Sequence, residues 1–100
     1  MPETLDDLHG PASGPVELPV RLYWSAGSRT FDLDSRHEAA DMYEAVLDAA
    51  GSRADLAHYL NAGLLVQVWP VLGMNRAKRA AWENRFPVLR QQRLAAAAYL

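Results

Sequence analysis

The residue types in this chain that could carry chemistry are few: Asp32 and Asp34, the histidines His9, His37 and His58, and a serine in the loop "SAGS" at 25–28. An Asp-x-Asp pair can hold a divalent ion beside a phosphate. Here Asp34 stands just before Ser35, at an expected helix start where a carboxylate is favoured by the helix dipole. That role accounts for the pair, because Asp-x-Asp alone is a weak motif. The three histidines lack the spacing of zinc ligands. "AGS" has none of the strand–elbow–helix context of a hydrolase serine, and no glycine-rich phosphate loop is present. Glu38, Asp41, Glu44 and Asp48 recur at helical spacing, which a solvated helix face explains. The expectation is a chain with no catalytic residues, no cofactor-binding residues and no metal ligands, and hence no enzyme.

Whatever site exists must be held by a small body. The chain has 100 residues, room for one domain. Half of them are apolar and 22% are charged, the balance of a globular protein. There is no cysteine, which excludes disulfides and thiolate metal sites. With no secretory signal, the expected compartment is the cytoplasm. The longest apolar run, "GLLVQVWPVLGM", is too short to span a bilayer and contains Gln67 and Pro70. Heavy use of Ala and Arg against the single Lys78 suggests a GC-rich bacterial genome.

The net charge of −2 conceals a division. Residues 1–50 carry −7 and residues 51–100 carry +5. The two halves can complement each other across the fold or between protomers of a homodimer. Alternatively, the basic half meets an acidic partner or nucleic acid.

Residues 1–18, rich in Pro and acids, predict a flexible arm, with a short turn at Thr4–Leu8 where Thr4 and Asp7 have capping-box spacing. A hairpin follows. Period two places Val20, Leu22 and Trp24 with Phe31 and Leu33 on one apolar face, either side of the loop containing Gly27. A lone two-stranded hairpin is marginal in water, so this face must lie on helices or on another molecule.

Ser35 and Glu38 form a capping box that opens a helix. Its expected buried stripe is Ala39, Met42, Tyr43, Val46, Leu47 and Ala50, and Gly51 ends it. Ser52 and Asp55 open a second helix, with Leu56, Tyr59 and Leu60 inward. "NAG" at 61–63 breaks the run before a third helix bearing Leu64, Leu65, Val68 and Trp69, which ends or kinks at Pro70. Asn75 is the expected cap of a fourth helix, 76–85, with Ala77, Ala81, Trp82 and Phe86 inward. Pro87 suits the first turn of a last helix, 88–99. That helix has a poor stripe, in which Leu89, Leu94, Ala98 and Tyr99 could pack, so it is the element expected to dock elsewhere.

The predicted class is therefore mainly α with an N-terminal two-stranded β-hairpin: a small helical domain of four to five helices packed on the hairpin. Residues 1–18 form the arm, 19–86 the hairpin and helical core, and 87–100 a C-terminal helix that docks a partner.

"SRADLAHYLNAGLLVQVWPVL" has helix–turn–helix proportions. A recognition helix must present polar groups to base edges, yet this one offers only Gln67 and belongs in a core. If nucleic acid is bound, Arg76, Lys78, Arg79, Arg85, Arg90 and Arg93 would touch phosphates without reading sequence. Trp24, Trp69 and Trp82 are accounted for by a core, but tryptophan and arginine together also make interface hot spots. The segment 76–94 gathers such residues near the carboxyl end. The candidate partner contacts are Arg76, Arg79, Trp82, Arg85, Phe86, Leu89, Arg90, Arg93 and Leu94.

"LPVRLYWSAGSRTFDLDSR" (18–36), "MYEAVLDAAGSRADLAHYLNAGLLVQVWP" (42–70) and "RAAWE" (79–83) resemble a group of small actinobacterial proteins. Those proteins look like the antitoxin partners of abortive-infection-type nucleotidyltransferase toxins. The chain departs from the pattern at "SAGS" and at "VLGMNRAKR" after Pro70. The resemblance implies a protein-binding inhibitor of such a toxin, with basic residues 76–93 facing the enzyme's metal-binding carboxylates. A nucleic-acid-binding regulator and a structural homo-oligomer subunit are the alternatives.

Overall fold

The structure is a computed structural model that describes residues 2–19, 29–49 and 52–97. It is mostly helical, with a two-stranded antiparallel sheet near the amino end. The strands are β1 (Pro15–Leu18) and β2 (Arg29–Asp32), paired so that Val16 faces Phe31 and Leu18 faces Arg29. Leu18 and Phe31 are fully buried, and Leu33 follows them into the core. Glu17 and Thr30, opposite each other on the other face, are exposed.

This pairing corrects the expected hairpin. Its first strand lies within residues 1–18, expected as a free arm, because Val16 and Leu18 alternate about Glu17 between two prolines. Pro15 opens the strand, a position that asks no ladder hydrogen bond of its missing N–H. The expected inward residues Val20, Leu22 and Trp24 lie outside the described residues.

The rest of the amino-terminal segment also follows the body. Leu5–Asp7 form a 3-10 turn at the expected place, with Asp7 Oδ2 accepting from the Thr4 N–H at 3.3 Å. Leu8 is buried. The His9 N–H donates to the Ala57 carbonyl at 3.0 Å and the Gly10 N–H to that of Leu60 at 2.7 Å. A Cβ on Gly10 would sit 2.6 Å from the Tyr59 carbonyl carbon, so only glycine lets the backbones approach this closely.

Five helices follow: α1 (Arg36–Ala49), α2 (Arg53–Tyr59), α3 (Ala62–Val68), α4 (Arg76–Arg85) and α5 (Pro87–Ala97). Ser35 caps α1 through Glu38 N–H at 3.4 Å. The Glu38 carboxylate does not return to Ser35; it accepts from the Asp32 N–H at 3.3 Å and so ties the helix to β2. Ala39, Met42, Tyr43, Val46 and Leu47 are buried as expected, and Ala50 lies outside the described residues. Ser52, Asn61 and Asn75 cap α2, α3 and α4, each accepting from the N–H three residues on. Each cap satisfies a donor that the helix start leaves orphaned.

Pro70 ends α3 at Val68, and Trp69–Val71 tighten into a 3-10 turn. Phe86, driven out of the helical conformation before Pro87, separates α4 from α5. The sheet lies on α1, while α5 packs against α3, α4 and the Trp69–Val71 turn. Leu89 of α5 is fully buried there. This corrects the expectation of a weakly seated last helix: one leucine and an arginine network, described below, anchor it. No helix among the described residues is long and apolar enough to cross a membrane.

Candidate functional site

The helix starts and the sheet edge consume the carboxylates first considered for metal chemistry. Asp32 Oδ1 accepts from the Asp34 N–H at 2.9 Å, and Asp34 Oδ1 from the Gly14 N–H at 3.3 Å. Both hold the turn that joins β2 to α1. His37 Nε2 lies 3.6 Å from Asp41 on the exposed face of α1. Among the described residues no three His, Asp or Glu side chains gather as a metal site would need. In the α2–α3 pair, Leu64, Leu65 and Val68 of the second helix are buried and only Gln67 points fully outward.

The acidic stripe of α1 is more than a solvated face. Asp41, Glu44 and Asp48 line a groove of about 500 Å³ whose other wall is the 73–75 loop and Lys78. Glu44 Oε1 accepts from the Gly73 N–H at 2.5 Å. Lys78 Nζ donates to the Leu47 carbonyl at 2.9 Å and lies 3.7 Å from Asp48. A cation at the last turn of α1 is favoured by the helix dipole. Here the acidic half of the chain meets the basic half across the fold. Arg53 repeats the pattern 3.5 Å from Glu3.

The strongest polar constellation lies on the other side of α4, at Glu83. Its side chain keeps only 3% of its surface in water. Oε2 accepts from Trp69 Nε1 at 2.9 Å and from Arg93 Nε at 2.6 Å; Oε1 accepts from Arg93 Nη2 at 2.9 Å. Arg90 Nε lies 3.8 Å from Oε1, and Arg79 Nη1 4.0 Å from Oε2. Arg79 lies over the Trp69 ring, 5.4 Å from its centroid, and donates through Nη2 to the Leu72 carbonyl.

The bonds from Arg93, with those from Trp69 and the charge of Arg79, hold the Glu83 carboxyl at about pKa 2 against an ordinary 4.5, although burial opposes this. The cover is one side chain deep. Arg90 and Arg93 above the carboxylate keep 48% and 38% of their own side-chain surface in water.

The candidate partner contacts therefore divide. Trp82, Phe86 and Leu89 are core residues, and a partner could reach them only by opening the fold. Trp82 packs between Trp69 and Phe86, with ring centroids 6.3 and 5.7 Å away and the planes tilted. Arg79 is mostly enclosed by Trp69 and Leu72. Arg76, Arg90 and Leu94 are exposed, Arg93 is partly so, and Arg85 is exposed while donating to the Glu3 carbonyl at 3.0 Å. Ala77 and Ala81, expected inward on α4, face water; Trp82 and Glu83 take the buried side. Ala98 and Tyr99 lie outside the described residues.

Glu83 was not among the expected site residues. Its signal was present: it is one of two acids after residue 50, with Arg79 four before it and Arg90 and Arg93 seven and ten after. Spacing on one helix shows the first partner, but the other two require knowing that α5 folds back on α4.

The outward surface of α5 is formed by Val88, Arg90, Gln91, Leu94 and Ala95, with Val71 also exposed nearby in sequence before α4. It combines exposed apolar side chains with cations whose positions Glu83 fixes. No protein family, curated protein or solved structure matches this chain.

Proposed function

We propose that this chain is a non-catalytic protein-binding module, an antitoxin-like inhibitor that covers an acidic surface of a nucleotidyltransferase-type toxin in the cytoplasm. The observation that supports this reading is the convergence of Arg79, Arg90 and Arg93 on the single buried carboxylate of Glu83. One carboxylate cannot neutralise three guanidinium groups. The surplus positive charge is held at the surface beside exposed Leu94 and Val88. Groups already ordered lose little entropy on docking, so such a surface binds more tightly than a mobile one. A nucleotidyltransferase needs a cluster of carboxylates for its metal ions, and the arginine face of α5 complements that charge.

The test is a search of the neighbouring genes for a nucleotidyltransferase, followed by co-expression with it, reading toxin activity and co-purification. The expected result is inhibition by the native chain and its loss on Arg90→Gln combined with Leu94→Asp, in a variant whose thermal melt shows that it remains folded. Equal inhibition by both forms would place the contact elsewhere. A nucleic-acid-binding regulator would instead bind DNA with a steep dependence on salt. A homo-oligomer subunit would change size with concentration in the absence of any partner.

A further inference from the structure

We infer that Arg90 and Arg93 form a binding site for a phosphate dianion, with Glu83 and Asn84 as the residues that position it. The inference rests on α5 being the docking face and specifies the chemical group that face recognises.

The two arginines stand one helical turn apart on α5. Each is tethered along one edge. Arg93 spends Nε and Nη2 on Glu83. Arg90 spends Nη2 on Asn84 Oδ1 at 2.6 Å and turns Nε toward Glu83. Among the described residues neither Nη1 has a hydrogen-bond partner, and both side chains reach water. Fixed guanidinium groups with free N–H edges match the oxygens of a phosphate, which accepts several such bonds at once.

Charge selects the ligand further. Arg79, Arg90 and Arg93 have Glu83 as their only ion-pair partner among the described residues, which leaves the cluster at +2. No Asp or Glu follows Glu83 in the sequence. A carboxylate ligand would leave one charge uncompensated. A phosphate monoester, which carries close to two negative charges above about pH 7, neutralises the cluster. Arg79 contributes charge only, because its Nη1 is sealed from solvent without a hydrogen-bond partner.

The ligand can be free phosphate or a phosphorylated side chain of a partner protein. The test follows the arginine Nε–Hε resonances of the full chain by NMR at constant ionic strength. Inorganic phosphate, acetate, a phosphoserine peptide, its unphosphorylated twin and a peptide of Asp and Glu are each titrated.

Saturable shifts of Arg90 and Arg93 with phosphate but not acetate are expected, and those with the phosphoserine peptide should weaken as the pH falls below about 6, where its dianion is lost. Tighter binding of the phosphopeptide than of phosphate would identify the partner-borne source; equal affinity would identify the free ion. Arg90→Gln should weaken phosphate about tenfold or more, whereas Arg36→Gln, which removes the same charge at an exposed site on α1, should change it less than about twofold. If Arg90→Gln fails to fold, the native resonances still decide.

Equal weakening by both variants, or equal response to phosphate and acetate, would overturn the inference. Binding of the acidic peptide without preference for phosphate would overturn it and leave the docking face standing. Binding of none of these would also overturn it, and the docking face would then be decided by the co-expression test alone.

Discussion

The indole N–H of Trp69 donates to Glu83 across fourteen residues of chain, at 2.9 Å, inside the core. This bond joins the turn after α3 to α4, and Arg93 then joins both to α5. One carboxylate thus ties together three elements that also pack through Trp69, Trp82 and Leu89.

Replacing Glu83 by Ala leaves the Trp69 N–H unpaired and three arginines without their counter-charge. Breaking a fully buried pair costs about 3–5 kcal/mol, and partial exposure of Arg90 and Arg93 lowers this to about 2–3 kcal/mol. Denaturant unfolding followed by tryptophan fluorescence measures it. Glu83→Gln, which keeps an acceptor for Trp69, should cost less.

The same carboxylate sets an acid limit. Its pKa in the fold, about 2, lies below the ordinary 4.5, so the folded state releases this proton more readily than the unfolded one. The stability it contributes is complete above about pH 4.5 and is lost as the pH falls toward 2. A pH series of unfolding midpoints should show an acid limb that Glu83→Gln flattens.

Tyr43 sets the opposite limit. Its hydroxyl oxygen accepts from the Asn61 N–H at 2.8 Å, and burial raises its pKa from 10 to about 12. The neutral phenol is the form the fold prefers. The stability linked to it is intact below about pH 10 and is lost as the pH rises through 12. Absorbance titration should show a tyrosine step displaced above the ordinary value of 10 until the protein unfolds. Tyr43→Phe should remove that late step and cost about 1–3 kcal/mol by stranding the Asn61 N–H.

Gly10→Ala should destabilise by about 1–3 kcal/mol, because the added methyl meets backbone, which cannot rotate away as a side chain would. Gly14→Ala should also cost stability, for a different reason. Its site is open, but its φ of 79° disfavours any side chain. Hydrogen exchange separates the two: the first should release the protected His9 and Gly10 amides, and the second should leave them in place.

Trp82→Ala should cost about 3–5 kcal/mol, the loss of a packed aromatic. Leu94→Ala should stay within about 0.5 kcal/mol, since its side chain is mostly in water. Thermal melts of the two distinguish core from surface among residues that sequence placed together.

The helical elements were legible because their signals are local. Ser35, Ser52 and Asn75 each announce a helix start within three residues, and "NAG" at 61–63, Pro70 and Pro87 mark the breaks. The first strand was not legible. Val16 and Leu18 supply only two apolar positions, and the stronger alternation at 20–24 drew the pairing forward. At the candidate site, the cationic residues were visible but their ranking was not. Trp82, Phe86 and Leu89 have the composition of a hot spot and the burial of a core. Only the fold-back of α5 onto α4, a non-local fact, separates them from Arg90 and Leu94.

The backbone bonds of His9 and Gly10 have a temporal consequence. Their acceptors, at Ala57 and Leu60, emerge from the ribosome some fifty residues later, an interval of several seconds at about 5–20 residues per second. The segment must therefore wait, unseated, until α2 exists to receive it. Through that interval Leu8 stays uncovered, and a protease could cut there before α2 closes the gap.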